Sequence, residues 1–139
     1  MYYFAYGSNM NHRQMEERCP GARFLKCAYL EDFRFVYDGY HEKRRGAVAN
    51  VIKAPGGKVW GALFEMDEKH LAALDRYEGY PSQYGRAELP VKDDDGIVSP
   101  ATVYLRHGLV VGTPSDDYRG IVLRGAFECA LPDDYIQSL

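Results

Sequence analysis

The sequence has few of the features that mark metal sites, disulfide frameworks or membrane segments. Its three cysteines (Cys19, Cys27 and Cys129) are odd in number and form no C-x-x-C pair, which argues against a disulfide framework or a structural zinc site. The four histidines are scattered, with no H-E-x-x-H spacing, so we expect no catalytic metal. No apolar run is long enough to span a bilayer, and no charged segment precedes a long apolar stretch at the N-terminus. These absences predict a cytoplasmic protein without a membrane partner.

The chain also has no excess of positive charge. Its formal net charge is −3, whereas a nucleic-acid binder needs a basic surface to neutralise phosphates, so we expect no nucleic-acid partner. We interpret the one basic cluster, Lys43-Arg44-Arg45, as a solvated loop rather than a phosphate site. Hydrophobic residues make up 46% of the 139 residues, which predicts one folded domain over residues 1–139.

What the chain does contain is many short strand-like runs with few helices between them. The pattern predicts strands at 2–6, 48–52, 59–66, 84–92 and 97–106, and two more strands within 24–37. Turn signals predict turns at 7–9 and 54–57 and a polar loop at 39–46. Capping signals predict helices from 9 or 11 to about 18, at 67–78, at 114–129 and after 132. Strict alternation of strand and helix is absent. The pattern therefore predicts an α+β fold with a small, mostly antiparallel, barrel-like sheet and flanking helices.

Glu78 stands out at the end of the predicted helix 67–78. Leu71, Leu74 and Tyr77 form an apolar stripe, and Glu78 lies four residues after Leu74 on the same face. A carboxylate on that face is expected to have a raised pKa if burial dominates, as a general base or acid working near neutral pH requires.

Helical phase alone leaves other interpretations of this helix open. Glu78 could turn to solvent or pair with Arg76 or Arg86, because phase drifts at helix ends. Asp75 lies near the same face and is a competing candidate, although a local hydrogen bond or an edge position suits it better.

A second candidate is the turn Tyr6-Gly7-Ser8-Asn9, which follows a buried strand and precedes a helix. Backbone N–H groups in such a turn point outward and suit a carboxylate or an oxyanion. The turn has neither Walker nor G-x-S-x-G spacing, so Ser8 is not supported as a nucleophile. A purely structural turn is the competing interpretation.

Three separated segments together give the chain a family resemblance. They are FAYGSNM (4–10), VWGALFEMDEKHLAALDRYEGYPSQY (59–84) and PSDDYRGIVLRGAFECALPDDY (114–135). In this order and spacing the chain strongly resembles the γ-glutamylcyclotransferase-like family. The resemblance implies a compact α+β fold around a small β-barrel, cyclisation of a γ-glutamyl group to 5-oxoproline with release of an amine or amino acid, and no metal or organic cofactor.

The same resemblance indicates which residues would form the active site. The family's catalytic glutamate falls on Glu78, and its substrate-holding turn falls on Tyr6, Gly7, Ser8, Asn9 and Met10. Tyr84 and Tyr118 match tyrosines that line the family's pocket. For Tyr118 a core role is equally open, because it shares an i, i+4, i+8 stripe with Val122 and Ala126.

Two functional alternatives remain open at this point. The leaving group could be an amine or a modified peptide instead of an amino acid, with specificity in the loops 39–46 and 106–113. The chain could instead be a non-catalytic binder of γ-glutamyl-type small molecules that uses the same pocket, since fold resemblance does not prove activity. A γ-glutamyl small molecule is the expected partner in either case, and we expect a monomer or homodimer.

Overall fold

A computed structural model describes residues 1–107 and 110–139 and contains five strands and four α-helices in this described part. The elements are β1 (Tyr2–Ala5), a 3₁₀ turn (Ser8–Met10), α1 (His12–Arg18), β2 (Arg23–His41), β3 (Gly46–Glu65), α2 (Glu68–Glu78), β4 (Gly85–Lys92), β5 (Val98–Leu105), α3 (Asp116–Glu128) and α4 (Asp133–Gln137). The predicted α+β fold is confirmed.

The five strands close into a barrel in the order β1-β3-β2-β4-β5. All neighbouring pairs are antiparallel except β1 and β5, which meet in parallel at Tyr3 and Thr102 and close the barrel. Closure brings β1, near the start of the chain, against β5. The strand β1 is buried from Tyr3 to Ala5, as its run of aromatic residues predicted.

The sequence prediction divided β2 and β3 where the structure does not. Each is one long strand. The two strands predicted within 24–37 were expected to separate near Glu31-Asp32, and this point and the predicted turn at 54–57 form an irregularity within the pairing of β2 and β3. Glu31 faces Lys58 but Phe33 faces Lys53, so β3 has extra residues at this point. Asp32 adopts a positive φ of 65°, and its Oδ1 accepts the Gly56 N–H at 3.0 Å, which holds the irregularity together. The polar loop predicted at 39–46 is correspondingly shorter, since β2 ends at His41 and β3 begins at Gly46.

The helix ends follow the predicted caps. Asn11 caps α1 by accepting the Gln14 N–H at 3.0 Å, and Asp67 caps α2 by accepting the His70 N–H at 3.1 Å. Gly79 ends α2 with a left-handed φ of 65°. The predicted apolar stripe on α2 is wrong for Tyr77, which is 53% exposed, because its ring lies at the surface under the Arg18 guanidinium, 4.6 Å from the ring centre.

Helix α3 packs against the 3₁₀ turn near the start of the chain. A Cβ on Gly125 would collide with the backbone of Met10 and Asn11, so only glycine permits this approach. The Cys129 thiol donates to the Met10 carbonyl at 3.3 Å. Helix α3 therefore fixes the position of the turn from one side while the barrel fixes it from the other.

No helix in the described part is long and apolar enough to cross a bilayer.

Candidate active site

A cleft of about 1020 Å³ opens where the end of β1, the end of α2 and the start of α3 meet the β2–β3 turn. Among its lining residues are Tyr6, Gly7, Ser8, Asn9, Glu78, Tyr84 and Tyr118. Seven of the eight sequence-predicted site residues therefore share one cleft. Met10 does not line it, because its side chain is fully buried beneath the turn, against α3.

The predicted turn is a single 3₁₀ turn whose first N–H groups are open. The Met10 N–H bonds to the Gly7 carbonyl at 3.1 Å, so it is already used. Within residues 1–107 and 110–139, the N–H groups of Gly7, Ser8 and Asn9 have no hydrogen-bond acceptor. A Cβ on Gly7 would come within 2.8 Å of the Ala49 Cβ, so glycine lets the turn lie directly against β3. The geometry leaves up to three main-chain donors for a carboxylate or an oxyanion.

Glu78 is the last residue of α2 and lies partly buried in the cleft. Burial raises the pKa of its carboxyl from 4.5 to about 7, although the positive charges of Arg18 and Arg44 act in the opposite direction. Its Oε1 atom accepts a long hydrogen bond of 3.4 Å from the Asn9 Nδ2. This carboxyl can therefore take up and release a proton near neutral pH, as the helical phase suggested.

Asn9 connects the turn to Glu78 and is itself held from several sides. Its Oδ1 accepts from Gln14 Nε2 at 2.8 Å and from Arg18 at 3.2 Å, while its Nδ2 donates to the Tyr3 hydroxyl at 2.9 Å. These contacts fix the orientation of the amide, so Nδ2 is directed toward the carboxylate of Glu78.

The hydroxyls of the three predicted cleft tyrosines form hydrogen bonds with main-chain atoms. Tyr6 donates to the Tyr104 carbonyl at 2.5 Å, and Tyr84 donates to the Ala49 carbonyl at 2.6 Å. The Tyr118 hydroxyl instead accepts the Ala49 N–H at 3.0 Å, and within residues 1–107 and 110–139 its own proton makes no hydrogen bond. Tyr118 can therefore donate into the cleft, whereas Tyr6 and Tyr84 can only accept. Burial raises the pKa of Tyr118 to about 12, so it remains a neutral donor.

Tyr118 satisfies both interpretations left open by the sequence. It lines the cleft and also lies on the buried face of α3 with Val122 and Ala126.

Neither arginine that the sequence offered as a partner for Glu78 pairs with it. Arg86 pairs with Asp75 at 2.5 Å, and the second Asp75 oxygen accepts from the Tyr104 hydroxyl at 2.6 Å. These partners lie 11 and 29 positions away, on β4 and β5, so the local hydrogen bond expected for Asp75 is wrong. Asp75 itself does not line the cleft and does not compete with Glu78. Arg76 lies at the rim of the cleft, and the described residues include no carboxylate within 4.0 Å of it.

The basic cluster in the β2–β3 turn is only partly the solvated loop that the sequence suggested. Lys43 and Arg45 are exposed, and Arg45 pairs with Asp117 at 3.6 Å on the outer surface. Arg44 instead is partly buried in the cleft wall and donates to Gln14 Oε1 at 2.9 Å. Sequence reasoning missed Arg44 because nothing in a run of three basic residues distinguishes the one that turns inward.

Sequence reasoning also missed Tyr3, Gln14 and Arg18, which join the cleft through Asn9. Gln14 and Arg18 lie four residues apart on α1, and this spacing places both on one face of the helix. The spacing does not indicate that both side chains bind Asn9 in the preceding turn.

The described residues contain no group of three His, Cys, Asp or Glu side chains that could hold a metal ion. The cysteines are free thiols, of which Cys19 and Cys129 are buried.

Comparison with known proteins gives consistent matches. The sequence profile of the AIG2-like family matches residues 58–139. A human protein named gamma-glutamylcyclotransferase is 33% identical over 142 residues, which cover 99% of this chain and 76% of the human protein. A solved structure named gamma-glutamyl cyclotransferase superposes with a TM-score of 0.95 at 31% identity, covering 99% of this chain and 85% of that one. A bovine protein named gamma-glutamylaminecyclotransferase is 32% identical over only 63% of this chain and 54% of its own length.

Proposed function

Since the chain belongs to the γ-glutamylcyclotransferase-like family and is an enzyme, we propose that it cyclises the γ-glutamyl group of a small molecule to 5-oxoproline and releases the attached amino acid or amine. The observation that carries this proposal is Glu78, whose carboxyl has a pKa of about 7 and lies beside an open main-chain turn.

The reaction needs one group that first accepts and then donates a proton. The α-amine of the γ-glutamyl group attacks the γ-carbonyl carbon in its neutral form. As the new C–N bond forms, Glu78, as carboxylate, takes a proton from the attacking nitrogen. The C–N bond to the leaving group then breaks, and Glu78 returns the proton to the leaving nitrogen. A pKa near 7 suits both steps, because neither form of the carboxyl is strongly disfavoured at neutral pH.

The rest of the cleft favours ring closure. The attack is intramolecular, so holding the glutamyl chain in a bent conformation supplies much of the rate. The open N–H groups of Gly7, Ser8 and Asn9 and the free proton of Tyr118 are the donors available for the substrate carboxylate and for the oxyanion that forms on the γ-carbonyl. Loss of one such donor typically lowers the rate about 10²–10³-fold.

An amino acid is the better-supported leaving group. The alignment with the human relative named gamma-glutamylcyclotransferase extends over 99% of this chain, whereas the alignment with the bovine relative named for γ-glutamylamines covers 63%. A cytoplasmic location stays part of the proposal, supported by three free thiols that suit a reducing compartment.

The test is release of 5-oxoproline from γ-glutamylalanine and γ-glutamylethylamide, with the free amine measured in parallel. We expect both products in equal amounts and no glutamate, since cyclisation consumes no water. The Glu78→Gln variant should lose about 10²–10⁴-fold in kcat. The matched control is Glu88→Gln, which alters an exposed carboxyl on β4 and should keep native activity.

Two results would contradict parts of this proposal. Near-native turnover by Glu78→Gln would show that another group moves the proton. Release of glutamate instead of 5-oxoproline would show hydrolysis and would overturn the cyclisation.

A further inference from the structure

The cleft concentrates positive charge. Its lining includes four cations, Lys43, Arg44, Arg18 and Arg106. Burial, followed by the charges of these cations, lowers the pKa of His41, which lines the same cleft. This concentration contrasts with the formal net charge of −3 of the whole chain. Cations that line one cleft repel one another, and an anion bound in the cleft would relieve that repulsion.

Two of these cations contact no carboxylate among the described residues, although the charge of Glu78 interacts with both from a greater distance. Arg106 pairs with the buried carboxylate of Asp38 at 3.5 Å. In the part of the chain that the structure describes, no carboxylate lies within 4.0 Å of Arg18 or Arg44. Both are partly buried, and burial, followed by the charge of Arg18, lowers the pKa of Arg44. A partly buried cation without a counter-ion is most stable when a ligand supplies the negative charge.

Arg44 is also held in position. Its guanidinium donates to Gln14 Oε1 at 2.9 Å and lies over the Tyr118 ring, 5.1 Å from the ring centre. The Gln14 amide in turn donates to Ser8 Oγ and to Asn9 Oδ1, each at 2.8 Å. The guanidinium is thus linked to the open turn, and its remaining N–H groups can form a bidentate pair with a carboxylate.

The position of Arg44 indicates which part of the substrate it meets. Glu78 and the turn come from the ends of α2 and β1, whereas Arg44 comes from the β2–β3 turn, between the exposed residues Lys43 and Arg45. The reacting glutamyl group must lie against Glu78, and the leaving group must point toward the opening through which it departs. The sequence-predicted specificity loop 39–46 contains Arg44; in the other predicted loop, 106–113, Gly108 and Leu109 lie outside the described residues.

We propose that Arg44, assisted by Arg18, binds a carboxylate of the leaving group and so makes the enzyme selective for γ-glutamyl compounds whose leaving amine carries a carboxylate. This inference rests on the proposed function and adds the residue that recognises the leaving amino acid. Arg44 is a specificity-determining residue and takes no part in proton transfer.

The test compares γ-glutamylalanine with γ-glutamylalaninamide, which has the same shape but no carboxylate on the leaving group. We measure kcat/KM for both at pH 8 with the native protein, Arg44→Gln and Arg44→Lys. The control is Arg45→Gln, which removes the neighbouring charge on the outer surface, where the Arg45 side chain is 76% exposed.

We expect the native enzyme and Arg45→Gln to prefer γ-glutamylalanine by about 10–100-fold, the range for hydrogen bonds to a charged group. In Arg44→Gln the preference should collapse to about threefold or less, mainly through a higher KM for γ-glutamylalanine. Arg44→Lys should retain part of the preference for γ-glutamylalanine, because the positive charge remains but the bidentate geometry of the guanidinium is lost.

Other outcomes overturn the inference in distinguishable ways. If the native enzyme turns over both compounds equally, no leaving-group carboxylate is recognised, while the proposed function stands. If Arg44→Gln lowers both values by the same factor, Arg44 serves the glutamyl part instead. If neither compound yields 5-oxoproline, the proposed function fails, and this inference fails with it.

Discussion

Replacing Glu78 by Gln should stabilise the protein while it abolishes activity. Burial raises the pKa of Glu78 in the native state to about 7, whereas the ordinary pKa of a glutamate carboxyl is 4.5. Between these values the native state binds more protons than the unfolded state, so stability falls as the pH rises through this window. The full difference corresponds to up to about 3 kcal/mol above pH 7. Glutamine keeps the shape and carries no charge, so it removes this penalty.

The expected signature is a stabilisation that depends on pH. At pH 8 the Glu78→Gln variant should be about 2–3 kcal/mol more stable than the native protein, and at pH 5 the difference should be below about 1 kcal/mol. For a chain of this size, the value at pH 8 corresponds to an increase in Tm of roughly 6–12 °C. Urea unfolding at both pH values measures the free energy directly, and the m-value checks that the unfolded state is unchanged.

The exposed Glu88→Gln variant is the control, and it should show no comparable gain at pH 8. Equal stability of Glu78→Gln and the native protein at both pH values would refute the reasoning, since it would mean that the carboxyl pays no burial penalty. A loss of stability at pH 8 would show that the ionised carboxylate is held by favourable contacts, with the hydrogen bond from Asn9 as the first candidate.

Three further predictions test the site. The value of kcat/KM should fall about tenfold per pH unit below about pH 7 as Glu78 becomes protonated, and a flat profile from pH 5 to 8 would contradict its role as base. Tyr118→Phe leaves the N–H of the buried residue Ala49 without its acceptor, so urea unfolding should show a loss of about 1–3 kcal/mol; an unchanged midpoint would argue against this bond. Gly7→Ala places a Cβ 2.8 Å from that of Ala49 and displaces the turn, so kcat/KM should drop by about 10²-fold; native kinetics in this variant would show that the turn tolerates the shift.

The sequence predicted the local parts of the site well because their signals are local. The cap at Asp67, the left-handed Gly79 and the phase from Leu74 place Glu78 at the end of a helix whose inner face is buried. The same phase failed for Tyr77, because a residue in the last turn can lie over the surface as well as over the core.

The remaining parts depend on contacts between distant elements. Nothing near Asp32 in the sequence indicates that it will bind the Gly56 N–H across two paired strands, so the strands were divided there. The hydroxyls of Tyr84 and Tyr118 meet at the main chain of Ala49 on β3, although Tyr84 directly precedes β4 and Tyr118 lies on α3. Arg44 likewise turns into the cleft through a contact with a distant element, the hydrogen bond from its guanidinium to Gln14 on α1.

The packing of α3 on the first turn has a consequence for synthesis of the protein on the ribosome. The Cys129 thiol and the Met10 carbonyl that it contacts are 119 positions apart in the chain, and Gly125 fits directly against the same turn. The turn at 7–10 therefore leaves the exit tunnel well before α3, and it gains its native support only after α3 has followed. A chain interrupted before α3 would retain Glu78 and the complete turn sequence, yet it would lack the helix that fixes the turn and supplies Tyr118. Incomplete products should therefore be inactive, and they should be targets for proteases and chaperones.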